Sequence, residues 1–145
     1  IRSLGKKLPL VVHKQLDNNL AILKLFPGIS RTVVESTLSI PGLRSVILET
    51  FGAGNAPEED WFISAVGHAL QSGTVVLNVT QCKTGSVEMG VYETSRMLAA
   101  SGVISGRDMT TEAAVTKLMH LNGVSRDISW ISGQLAIPLR GEMTV

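Results

Sequence analysis

Cysteine is almost absent from this chain: Cys82 stands alone, so no internal disulfide can form, and a reducing, cytoplasmic setting fits. An excess of one charge is missing too. The 13 Lys and Arg against 12 Asp and Glu leave a formal net charge of +1, with no basic stripe for a phosphate backbone and no polybasic membrane anchor. No apolar run approaches a membrane span, and no charged-then-apolar leader is read at the start. These absences set aside nucleic acid and membrane as partners. Internal repeats and low-complexity segments are also lacking. What remains suits one compact domain: 145 residues with 44% apolar content can bury a sizeable core, and the mean hydropathy is +0.26. Because the chain opens at Ile1 rather than Met, a fragment is expected.

The apolar pattern alternates strand and helix. Residues 19 to 26 read as a strand that Pro27-Gly28 breaks, and Ser30 is a plausible N-cap for a helix carrying Val33, Val34 and Leu38. Pro41-Gly42 ends that helix. A second strand covers 44 to 50, and a helix follows from about Glu58 to Ser72, with Phe62, Ala65, Val66, Ala69 and Leu70 at helical spacing and Gly73 as its C-cap. The third strand, 74 to 79, is apolar on both faces apart from Asn78, which predicts a strand covered by helices on both sides. Next come a helix from about Val91 to Ala100 and a short strand at Val103-Ile104. A helix capped by Asp108 or Thr110 runs to Leu121, and another is capped by Ser125. Right-handed crossovers then give an α/β fold: a small three-layer domain with a mainly parallel sheet flanked by helices. Residues 1 to 18, with Pro9 and three lysines, read as an incoming connector.

The usual catalytic constellations are missing. His13 lies in the connector, while His68 and His120 sit within helices, so none is placed to serve a nucleophile as base. Cys82 follows a strand without any motif that would activate it, which favours a packing or ligand-contact role. No Cys/His spacing suits zinc, and Asp108, Glu112 and Glu142 are too scattered for a metal. Gly52-Ala53-Gly54 lacks the third glycine of a dinucleotide fingerprint. No metal and no cofactor are therefore expected.

Two loops that follow apolar strands hold the chemistry. In open α/β sheets ligands sit beyond the carboxyl ends of the strands, so the loops after residues 50 and 80 are the first candidates. Asn55, Thr80, Gln81 and Thr84 offer short directional partners for the carboxylate and amine of a small polar molecule. The competing reading is that Asn55 accommodates a left-handed turn and Thr80 merely ends a strand.

The order of motifs adds to this. Phe26-Pro-Gly-Ile-Ser30, Gly52-Ala-Gly-Asn-Ala-Pro57, Asn78-Val-Thr-Gln-Cys82, Gly102-Val-Ile-Ser-Gly-Arg-Asp-Met-Thr110, Glu112-Ala-Ala, Thr116-Lys-Leu118 and Leu139-Arg-Gly-Glu-Met-Thr144 follow one another through the chain. Together they resemble the C-terminal domain of a type I, cytoplasmic bacterial L-asparaginase, from about residue 20 to the end. That resemblance implies residues 19 to 145 as the asparaginase C-terminal α/β domain and residues 1 to 18 as a connector from a missing N-terminal domain. It also implies a hydrolase that converts L-asparagine to L-aspartate and ammonia through threonine, aspartate and lysine residues of that other domain. Their Thr-Gly-Gly-Thr loop does not occur here, so no catalytic residue is expected in this chain, and it should be inactive alone. By the same resemblance Asn55 approaches the amino group of a substrate held by a neighbouring subunit of a homo-oligomer, a dimer or tetramer. An effector pocket for asparagine would be contacted by Thr80, Gln81 and Cys82. Where allosteric members carry an arginine this chain has Glu49, which would repel an effector carboxylate, so weak or absent activation is expected. Two other readings remain: a freestanding, non-catalytic amino-acid-binding module, and an amidotransferase subunit that shares the fold, to which the near-neutral charge lends no support.

Overall fold

The computed structural model describes residues 11 to 90 and 92 to 144. The connector therefore falls partly outside the described residues. Four strands, β1 (Leu20–Lys24), β2 (Ser45–Thr50), β3 (Val75–Thr80) and β4 (Ile104–Ser105), lie parallel in the order β1-β2-β3-β4. Five helices complete the fold: α1 (Arg31–Leu38), α2 (Asp60–Gln71), α3 (Glu93–Ser101), α4 (Thr111–Val124) and α5 (Ile128–Leu135).

The sheet order explains the layers. Each crossover moves one strand further in the same direction, so crossovers of one hand must all leave their helices on the same face. The packing agrees. Leu23, Val46, Leu48 and Val76 meet Val34, Phe62, Val66 and Leu98 from α1, α2 and α3. The residues between them along the strands, Ile47, Val75, Leu77 and Val79, point the other way, onto Leu118 and Leu121 of α4 and Ile131 and Leu135 of α5. With period-two alternation, both faces of β2 and β3 have to be apolar, as the continuous hydrophobic runs required. The three-layer α/β expectation is met.

Local signals positioned most elements. Ser30 caps α1, its side chain accepting from Val33 N at 3.3 Å, and Thr110 rather than Asp108 caps α4, accepting from Ala113 N at 3.2 Å. Ser72 is the C-cap of α2, and Gly73 follows it at φ +90°, the left-handed position that glycine supplies. As Ser72 stands where Gly73 was expected as C-cap, so a second cap differs from expectation. Asp127 caps α5 by accepting from Ser129 N and Trp130 N, while Ser125 closes α4 and accepts from Asp127 N at 3.0 Å. A carboxylate two residues closer to the first free amides has the better geometry and the better charge for a helix N-terminus.

Candidate functional site

The carboxyl ends of β2 and β3 bring the two loops into contact. Thr80 ends β3, and its hydroxyl donates to Gly52 O at 2.5 Å while accepting from Cys82 N at 3.0 Å. Beside it, the buried Asn78 accepts from the Thr50 hydroxyl at 2.6 Å and donates to Gly54 O at 3.2 Å. A polar side chain inside a strand that is covered on both faces has to find such partners, because an unmade buried hydrogen bond costs about 1–3 kcal/mol. Asn78 is thus the buried post on which the 51–57 loop is mounted.

The loop itself closes tightly. Phe51 and Asn55 exchange both backbone hydrogen bonds, each 2.8 Å long. Gly52 at φ +49° and Gly54 at φ +110° take the left-handed turns, so Asn55 is not the residue that accommodates one. A Cβ on Gly54 would lie 2.8 Å from a methyl of Val87 and 3.3 Å from the Asn78 amide, so that position has no room for a side chain. Freed from a turn role, Asn55 holds its side-chain Oδ1 enclosed and, among the described residues, without a hydrogen-bond partner. An acceptor in that state has the capacity for one more hydrogen bond from an N–H donor.

The four remaining residues predicted for ligand contact are largely engaged with the fold. Gln81 donates from Nε2 to Leu25 O and to Glu49 O, each at 2.7 Å, tying the ends of β1 and β2 together. Glu49 pairs with Lys24, its register partner on β1, at 3.2 Å and accepts from the Thr111 hydroxyl at the start of α4 at 2.5 Å. With its side chain only 12% exposed, that carboxylate is already neutralised within the domain. Cys82 is a free, exposed thiol, and Thr84 is exposed as well. The three cavities of about 600, 490 and 450 Å³ are lined by other residues, away from both loops.

Sequence reasoning missed two buried networks. Asn78 carried a signal, being the only polar residue inside an apolar strand. The other network joins Lys117 to Glu142 at 2.8 Å, with Lys117 also donating to Ile137 O at 2.7 Å and to Leu135 O at 3.2 Å. Burial alone would raise the Glu142 carboxyl, but the backbone N–H groups of Leu139 and Arg140 together with Lys117 hold it down at about 2. Asp108 receives both the hydroxyl and the backbone N–H of Thr144, which lower its pKa and fasten the C-terminal segment to the start of α4. Two of the three acids that looked scattered along the chain, Asp108 and Glu142, are therefore tail anchors, and among the described residues no three His, Cys, Asp or Glu side chains cluster.

This fold is shared with known proteins. The family model for the glutaminase/asparaginase C-terminal domain matches residues 19–133. The chain belongs to this family. It is 41% identical over 135 residues to L-asparaginase 1 of Escherichia coli, covering 93% of this chain and 40% of that protein. It is also 38% identical over 147 residues to the human 60 kDa lysophospholipase, of which it covers 25%. Among solved structures, L-asparaginase I from Vibrio cholerae superposes with a TM-score of 0.84 at 40% identity, covering 90% of this chain and 39% of that one. This asparaginase C-terminal domain thus spans about two-fifths of the L-asparaginases it matches.

Proposed function

We propose that the chain is the C-terminal part of an enzyme that hydrolyses L-asparagine to L-aspartate and ammonia, working with an N-terminal catalytic domain that supplies the nucleophile. The observation that carries this reading is the similarity to L-asparaginase I over nearly the whole chain at 40% identity and TM-score 0.84. In it, the 51–57 loop completes the substrate pocket of a neighbouring subunit in a cytoplasmic homo-oligomer, and Asn55 receives the substrate ammonium. The enclosed, unpartnered Oδ1 of Asn55 supports that role, since a charged donor there gains a hydrogen bond and leaves no buried acceptor unsatisfied.

An effector site for asparagine around Glu49, Thr80, Gln81 and Cys82 is part of the same proposal, with a qualification from charge. Glu49 is held by Lys24 and Thr111, and the Thr80 hydroxyl and the Gln81 Nε2 are spent on backbone groups. A second asparagine would have to displace those contacts and approach a carboxylate with its own, so activation by asparagine is weak or absent. Calorimetric titration of asparagine checks this: saturable micromolar binding that vanishes in Thr80→Ala would overturn it.

The experiment for the main reading is ammonia release from L-asparagine by this chain, alone and mixed with the separately expressed upstream part of its parent. Activity only in the mixture is expected. No activity in either favours the non-catalytic amino-acid-binding module, and activity from the chain alone would mean that the nucleophile lies here.

A further inference from the structure

α4, α5 and the C-terminal segment border a groove of about 490 Å³, lined by none of the residues of the two loops and within the roughly 300–1,000 Å³ range of small-molecule sites. Its walls are mainly apolar: Leu121 and Leu139, with Val124 and Trp130 exposed at 46% and 38%. Three nitrogen-rich side chains border it. His13 from the connector stacks edge-on against His120 of α4, ring centroids 5.0 Å apart, and Arg140 comes from the C-terminal segment.

The charge balance of the lining is one-sided. Glu142 is the acid in the groove, and it is consumed by Lys117 and by the backbone N–H groups of Leu139 and Arg140. The Arg140 guanidinium donates to its own neighbour, Leu139 O, at 2.8 Å, and among the described residues it has no ion pair with an acid. Burial, the largest cause, lowers the pKa of His120, and its neighbours His13 and Arg140 lower it further. An apolar trough ending at an unneutralised guanidinium and two imidazoles complements a molecule with a flat or chain-like apolar body and one anionic end. Trp130 offers its face to the body, and Arg140 offers a planar fork to a carboxylate.

We propose that the α4–α5 groove binds a small apolar monocarboxylate, its body along Val124 and Trp130 and its carboxylate at Arg140 and the His13–His120 pair. This site stands independently of the amidohydrolase reading. The test is calorimetric titration of the 145-residue chain with phenylbutanoate and, in parallel, with phenylbutanol, which has the same body and no charge. Saturable one-site binding of the acid is expected, with the alcohol about tenfold weaker or more, since a charge-assisted bidentate contact is worth roughly that factor. Arg140→Gln should reduce the acid to the level of the alcohol, and Val124→Asp, at an exposed position, should abolish binding of the acid. Circular dichroism confirms that each variant is folded. No saturable binding to the folded chain, equal affinity for acid and alcohol, or unchanged affinity in Arg140→Gln would each overturn the proposal.

Discussion

Single residues in this domain carry more than their exposure suggests. Asn78 joins Thr50 on β2 to the carbonyl of Gly54, so Asn78→Leu leaves that carbonyl without its partner and the Thr50 hydroxyl with only the longer bond to Val79 O. Denaturant unfolding of that variant should show a loss of about 2 kcal/mol, and the 51–57 loop should become protease-sensitive while the sheet persists. Asn55 is the opposite case, a side chain whose acceptor has nothing to bond within the described fold. In the enzyme reconstituted with its upstream part, Asn55→Ala should raise KM for asparagine by about tenfold or more, the worth of one hydrogen bond to a charged group. It should leave the melting temperature of this domain unchanged. A variant that lost stability but kept its KM would make Asn55 a packing residue only.

At the scale of elements, capping and one close approach decide where the helices begin and what crosses them. Asp127→Ala should cost about 1 kcal/mol through α5, as expected for losing a cap that accepts two amides, whereas Ser125→Ala should cost less than half of that. Thermal melts of the two variants rank them directly. Helix α4 is crossed by the connector at Gly123, where a Cβ would lie 2.4 Å from Gln15 O. Next to that crossing, Asp17 N donates to Met119 O at 3.0 Å and Asp17 faces Arg126 at 3.7 Å. Gly123→Ala therefore sets two effects against each other. The helix gains up to about 1 kcal/mol in propensity, while the connector has to lift from α4. Amide exchange should speed up at Asp17 and stay slow in the core of α4, and unchanged protection at Asp17 would show that the strap can shift without losing its bond.

For the whole molecule, the C-terminal segment is held by charge in a place where little water reaches it. Glu142, 14% exposed and paired with Lys117 at 3%, has its pKa depressed from 4.5 to about 2. A carboxyl depressed on folding contributes stability that is fully present above its unfolded pKa and is lost as pH falls through 4.5 towards 2. The difference is on the order of 3 kcal/mol. Acid titration of stability should show this loss in the native protein and a flatter profile in Glu142→Gln, which should itself be destabilised because Lys117 is left buried without its counter-charge. The same division between local and long-range physics separates what could be read in advance from what could not. Apolar period, turn glycines and cap residues are short-range, and they determined the existence and order of the nine described elements, the parallel sheet and the two loops at its carboxyl end, with element ends displaced by up to three residues, as at the end of α4. Ordered motifs determined the family. Only tertiary packing decided that Glu49 is neutralised by Lys24 and Thr111, that Lys117 meets Glu142, and that His13 meets His120 beside an apolar groove. Most of these pairs join residues 25 or more positions apart in sequence, and whether such a charge or ring finds its partner depends on how the layers are stacked, which no window of neighbouring residues contains.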